Sequence, residues 1–250
     1  MKFKILGALL CLLGSAMPGF AQNTGQITGT VQDSTGATIQ SATVTAISTA
    51  TGLQREVQSG DAGIYRIPLL PPGEYQLTVQ ASGFRPIRRS NIQLSVEEVL
   101  RVDFSLEVGA VSEVIEVTES AVAVQSETAT VGTTVGSRAV VDLPLVSAVS
   151  GRDPVELLQV LPGSTNKGVA GTQSINGGRI GTNDIQVDGS TKVEEMVGNS
   201  SGAGGIPSVE TVGEVKLMTN VYSAEFGRSG GATVLVSTKS GTNQIHGTAY

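Results

Sequence analysis

Between Phe104 and Tyr222 the sequence carries no aromatic side chain, and residues 163–241 hold 16 of the 32 glycines. A stretch of this kind has little large apolar surface to bury and loses much backbone entropy on ordering. Alone it is expected to be marginally stable. Enclosed by a wall made of other residues, it would be ordered yet easily rearranged. The whole chain has nine aromatics and no tryptophan, which favours turn-rich β structure over helical bundles.

The N-terminus reads as a leader. Lys2 and Lys4 form a basic start, residues 5–13 form an apolar run too short to span a bilayer, and Gly19 and Ala21 flank Phe20 as small residues, so cleavage is expected after Ala21. Removing Lys2 and Lys4 takes the formal charge from −6 to −8, a balance that argues against nucleic acid as a partner. The single cysteine, Cys11, lies in that leader. The mature chain is therefore expected to have no disulfide, thiol catalysis or thiolate metal site.

Residues 26–106 read as a compact β-sandwich. Strands are expected at 26–32, 42–48, 53–57, 64–67, 74–80, 87–94 and 100–106. Turn chemistry links them, at Asp33-Ser34-Thr35-Gly36, Gly60-Asp61-Ala62-Gly63, Pro71-Pro72-Gly73 and Ser82-Gly83. Tyr75, Leu77 and Val79 share a face and, with Ile27, Val44, Ile64, Leu69 and Phe84, make the expected core. Farther on, 133–141 reads as a strand. Residues 151–163 read as a helix with Asp153 as cap, Pro154 at the first helical position and Pro162-Gly163 as the stop. Asp188-Gly189 is a turn signal. In 212–250, Val215, Leu217 and Thr219 alternate with Lys216, Met218 and Asn220, giving a strand with one greasier face; Thr233 to Thr238 is a second, β-branched strand. A further extended run begins at Gln244, so the native chain is expected to continue.

Two stretches resemble known families. Gly-Thr-Val-Gln-Asp-Ser-Thr-Gly-Ala-Thr-Ile from Gly29, Asp-Ala-Gly-Ile-Tyr from Asp61, Leu-Pro-Pro-Gly-Glu-Tyr from Leu70 and Ala-Ser-Gly-Phe from Ala81 resemble carboxypeptidase-regulatory-like domains. That likeness implies a transthyretin-like sandwich of seven strands without catalysis of its own. Some relatives of that sandwich bind carbohydrate, and here Tyr65, Tyr75, Phe84 and Phe104 are the residues available to stack on a sugar, although alternation turns Tyr75 inward.

Glu-Phe-Gly-Arg-Ser-Gly-Gly from Glu225 and Val-Ser-Thr-Lys-Ser-Gly-Thr-Asn-Gln-Ile-His-Gly from Val236 resemble the end of the plug and the start of the barrel in TonB-dependent outer-membrane receptors, in particular the Oar-like group. Residues 151–163, ending in Leu-Pro-Gly, are similar to the plug helix. Residues 175–179 and 183–189 are similar to the plug hairpin.

The resemblance implies a mainly β chain: signal peptide 1–21, sandwich 22–108, linker 109–119, a small α+β plug 120–240, and the start of a barrel strand 241–250, with the C-terminal β-barrel beyond. Glu113, Val114, Ile115, Glu116, Val117 and Thr118 stand where such receptors carry the TonB box. An extended segment suits that role, because it can add to the edge of a partner's sheet. The same run also reads as the first strand of the next domain, and the two readings are compatible. Asn176, Arg179 and Asn183 are the candidates for ligand-facing loops.

Little in the sequence supports catalysis or a cofactor. His246 is the only histidine; Asp184 and Asp188 share a face without a third ligand. Gly177-Gly178-Arg179 lacks the strand-to-helix context and the lysine of a nucleotide cradle.

The expected function is the periplasmic and plug portion of an outer-membrane receptor gating uptake of a carbohydrate, peptide or other ligand. Its expected partners are a TonB-type inner-membrane energy-coupling protein and the barrel. The alternative is a secreted or periplasmic sandwich module that recognises carbohydrate or protein without transport.

Overall fold

The computed structural model describes residues 24–109, 115–117, 131–143, 146–147, 151–152, 154, 157, 163–165, 174–179, 182–192, 207–220, 226, 230–244 and 247. The leader, His246 and most of the run after Gln244 lie outside them.

The N-terminal half is a two-sheet sandwich. One sheet has β1 (Gly25–Asp33) at its centre, antiparallel to β4 (Ile64–Leu70) and parallel to both β7 (Val99–Arg101) and β8 (Phe104–Leu106). The other runs β2 (Thr43–Ser48), β3 (Gln54–Gln58), β5 (Gly73–Gln80), β6 (Ile87–Leu94) and β9 (Ile115–Val117), in the spatial order β3-β2-β5-β6-β9. Alternating strands turn one face of each sheet inward, so Ile27, Val31, Tyr65 and Ile67 meet Val44, Ala46, Tyr75, Leu77 and Val79 in one core. Gly29 is required there: a Cβ on it would stand 1.9 Å from the Val102 carbonyl oxygen. Asp33 closes the first turn by accepting from the Thr35 N–H (2.8 Å), the Thr35 hydroxyl (2.6 Å) and the Ala37 N–H (2.9 Å).

The strand at 87–94 forms where the alternation places it, and the others fall within a few residues of expectation. Two features differ. The expected strand 100–106 is split into β7 and β8 at Val102-Asp103. The Val102 N–H donates to Thr28 O, its carbonyl accepts from the Tyr65 hydroxyl (2.6 Å), and Asp103 accepts from Thr30. Both pieces therefore stay on β1 with a break between them. In addition, Ile64 and Leu69 are not core residues. Tyr65, Ile67 and Leu70 point inward instead, while Leu69 is 70% exposed, with φ of 56° beside Pro68. A strand admits one parity to its core, and a left-handed residue breaks the count.

The second half is built on a five-stranded sheet. Its strands are β10 (Val131–Gly136), β15 (Asp184–Val187), β16 (Ser190–Thr191), β17 (Val212–Asn220) and β18 (Thr233–Thr238), in the order β10-β17-β18-β15-β16. The β15–β18 pair is parallel, with Ile185 opposite Val234. Two short hairpins flank it, β11 (Val146–Ser147) with β12 (Gly151–Arg152) and β13 (Ser164–Thr165) with β14 (Ser174–Ile175). The strand expected over 133–141 stops at Gly136. The chain then turns into the six-residue helix α1 (Ser137–Asp142), which buries Val140 and ends before Pro144, a residue that disfavours helix in its predecessor. Within the expected helix 151–163, Gly151–Arg152 is strand and Pro154 and Leu157 lie in 3₁₀ geometry. The positions between and after them, to 162, lie outside the described residues. Asp188 (φ 48°) and Gly189 (φ 79°) form the two-residue turn their types prescribe, joining β15 to β16.

Candidate functional site

The expected coupling segment is strand β9 on the sandwich. Ile115, Glu116 and Val117 pair in parallel with Ile87, Arg88 and Arg89 at the outer edge of β6, which places an acidic position in register with a basic one. Arg89 holds its guanidinium 5.0 Å from the Phe104 ring centre, on the sandwich side. Glu113, Val114 and Thr118 lie outside the described residues. Among the described residues β9 is the last strand of its sheet, so the segment carries out locally the kind of pairing a partner's sheet would offer.

The three expected ligand-loop residues differ in their surroundings. Asn176 is exposed but engaged in structure: it occupies φ of 52°, its N–H donates to Gly163 O (3.0 Å) and its Nδ2 to Thr219 O (2.7 Å). Asn183 is half-buried and packs over Gly231, where a Cβ would lie 2.5 Å from its Oδ1. Arg179 is exposed, and its carbonyl anchors Thr182 through the Thr182 hydroxyl (2.7 Å). Arg179 is thus exposed and tied to the fold through its carbonyl, whereas Asn176 is tied through its side chain.

The aromatic residues available to a sugar are largely enclosed. Tyr65 and Tyr75 are each 1% exposed and Phe104 is 2% exposed, while Phe84 packs partly buried on the same core. Burial raises the Tyr65 hydroxyl far above its ordinary range and pushes that of Tyr75 up to about 12, and each donates to a backbone carbonyl, Val102 and Pro71 respectively. These rings offer no stacking platform. Asp184 and Asp188 also have structural tasks: Asp184 accepts from Gln186 Nε2 (2.7 Å), and Asp188 accepts from the Thr238 N–H (2.9 Å) and hydroxyl (2.8 Å). Among the described residues no group of three His, Cys, Asp or Glu is placed to hold a metal ion, and no helix is long and apolar enough to cross a membrane.

Sequence reasoning missed a charged junction between the two halves. On β17, Val215 and Leu217 point into the aliphatic core of the second half, and Glu214, Lys216 and Met218 point the other way. That second face meets the turn at residues 95–98 of the sandwich. Lys216 Nζ donates to Val96 O (2.8 Å) and Glu97 O (3.0 Å), and Glu214 Oε1 accepts from the Val96 N–H. Val96 itself packs with Met218, Phe226 and Leu235. Lys216 is 7% and Glu98 6% exposed. Burial raises the Glu214 carboxyl, with Glu98 adding to the rise and the Val96 N–H and Lys216 opposing it. Burial also lowers the Lys216 ammonium, against Glu98, Glu214 and Glu97. The available sequence signal was a pair of opposite charges two apart on one strand face; what that face would meet was not readable.

Comparison with known proteins agrees with this two-part architecture. Residues 26–107 match the carboxypeptidase regulatory-like domain. The chain is also 34% identical over 246 residues to the TonB-dependent transporter Oar of Myxococcus xanthus. That match covers 96% of this chain and 22% of the relative, so the chain spans less than a quarter of the transporter's length. Among solved structures, the siderophore receptor PirA from Pseudomonas aeruginosa overlaps 45% of this chain and 19% of its own, at 21% identity and a TM-score of 0.35. Chlorocatechol 1,2-dioxygenase from Pseudomonas putida overlaps 36% and 63%, at 14% identity and a TM-score of 0.28. Overlaps this partial carry no argument for uptake or for catalysis.

Proposed function

We propose that this chain is the periplasmic and plug portion of an Oar-like outer-membrane TonB-dependent receptor, which gates energy-coupled uptake of a ligand and catalyses no reaction. The observation that carries this reading is the 34% identity to a TonB-dependent transporter along nearly the whole chain. The sandwich stands in the periplasm, the five-stranded unit is the plug, and a barrel continues the chain.

Glu113, Val114, Ile115, Glu116, Val117 and Thr118 form the segment gripped by a TonB-type inner-membrane protein. The edge pairing of β9 supports this role, because main-chain hydrogen bonds along a strand give affinity without demanding a shaped pocket and bear load along the chain. Asn176, Arg179 and Asn183 belong to the loops that respond to an extracellular ligand, carbohydrate or peptide; Arg179 is the one whose exposure best fits direct contact.

The test is to delete residues 113–118 from the full-length receptor in its own outer membrane and measure crosslinking to the TonB C-terminal domain. Crosslinking is expected to disappear while the receptor remains in the membrane. Undiminished crosslinking removes the coupling role from this segment.

A further inference from the structure

We propose that the turn at residues 95–98 and the outer face of β17 form a releasable charged latch, which seats the sandwich on the plug sheet in one orientation and lets it come away without unfolding either part. This goes beyond the coupling role of 113–118 and stands whether or not that segment binds a TonB-type partner.

Several features set this contact apart from ordinary core packing. Both main-chain groups of one residue, Val96, are held by one strand: its carbonyl by Lys216 and its N–H by Glu214. Glu97 adopts φ of 50°, a left-handed conformation that costs a side-chain-bearing residue energy, and its carbonyl is the second acceptor for Lys216. Glu98 folds back to accept from the Ser95 N–H (2.7 Å). Two carboxylates, Glu98 and Glu214, thus act electrostatically on the Lys216 ammonium, which itself donates to two carbonyls, at a largely enclosed junction.

Among the described residues the apolar part of the contact is small, consisting of Val96 against Met218, Phe226 and Leu235. A cleft of about 140 Å³ adjoins it, lined from the sandwich by Pro72, Gly73 and Gln93 and from the plug by Glu214, Ser237 and Lys239, so water reaches the rim of the charged cluster. A second, polar tie lies to one side, where Asn243 donates through its N–H to Ala50 O (3.1 Å) and through Nδ2 to Thr51 O (2.8 Å).

The physics of such a contact favours reversibility. A permanent interface is largely apolar, and opening it exposes surface that water does not solvate well. Here, opening returns three charges to water, which repays most of the Coulomb attraction lost. Closing demands the right partners at hydrogen-bond distance, so the contact defines orientation more than it contributes stability.

Hydrogen exchange read by mass spectrometry on the whole chain tests this. In the unmodified protein, amides of 95–98 are expected to exchange through an opening that leaves β5 and β18 protected. Lys216→Met, which strands Glu214 and two carbonyls, is expected to speed exchange at 95–98 by about tenfold or more with β5 and β18 unchanged. Adding Glu214→Gln is expected to restore part of the protection, because one fewer unpaired buried charge remains. The proposal is overturned if 95–98 exchanges in the unmodified chain only together with β5 and β18, or if Lys216→Met leaves exchange at 95–98 unchanged.

Discussion

The two halves of the chain solve the same packing problem with different materials. The sandwich core is anchored by rings: Tyr65 and Phe104 lie 6.2 Å apart, and Tyr75 sits among Leu77, Val79 and Ile92. The main core of the second half contains no ring among the described residues, only Val140, Leu157, Ile175, Ile185, Val187, Val209, Val212, Val215, Leu217, Ala232, Val234 and Val236; Phe226 packs instead with Met218 and Leu235 on the other face of the sheet. The strands differ accordingly. β2 alternates between half-buried and buried positions, as a strand with one wet face does, whereas β18 is buried at five successive positions. The sandwich satisfies itself, and the central strands of the second sheet depend on cover from both sides. One of those covers is the sandwich.

The largest expected effect tests whether the rings carry the sandwich. Tyr65→Ala removes a buried ring together with its hydrogen bond to Val102, and is expected to cost about 4 kcal/mol. Chemical denaturation followed by far-UV circular dichroism would measure it. A loss below about 1 kcal/mol would mean that the aliphatic residues suffice in this half also.

In the second half, Lys216→Met breaks one partner of a buried charged set and is expected to cost about 3 kcal/mol of docking. Leu217→Ala, on the opposite face of the same strand in the aliphatic core, is expected to cost about 2.5 kcal/mol. Proteolysis separates these two variants: the first should expose the turn at 95–98, and the second should loosen β17 and β18 themselves. If both give the same cleavage pattern, the two faces of β17 are one cooperative unit and the contrast between the halves fails.

The smallest effect is a pH dependence of docking. The Glu214 carboxyl is raised when docked, by burial first and by Glu98 next. The docked form therefore binds the proton more tightly than the undocked form. Acidification from neutral pH strengthens docking until the ordinary carboxylate value of 4.5 is reached, below which there is no further gain. The Lys216 shift acts in the opposite window: its ammonium is lowered, so docking also strengthens as pH rises toward 10.5. Docking should be weakest between the two windows. Exchange at 95–98, corrected for intrinsic pH effects and followed between pH 5 and 7, would sharpen the contrast; a chain whose sandwich core and junction respond alike would remove it.

Much of this fold was legible because the signals are local. Period-two alternation placed Tyr75, Leu77 and Val79 inward, and the strand at 87–94 formed as read. Asp188-Gly189 turned where its conformational preferences require. Legibility ended where a local preference was even or was overruled. At 64–70 two parities were open, and the one that buries Tyr65 won. Over 133–141 a β-branched run turned helical after Gly136. The candidate coupling residues were legible as an extended acidic run, but their seat beside Arg88 and Arg89 was not, because parallel pairing joins positions that no short-range pattern connects.

By itself, then, the amino-acid order determined the two-part division, most of the strands and turns, and the scarcity of large side chains in the second part. Only tertiary structure decided that β17 has two buried faces and that Lys216 and Glu214 close on Val96. Alternation announces which side chains share a face. What covers that face is supplied by residues some 120 positions earlier in the chain, and the free energy of burying a charge there exists only once both surfaces are in place.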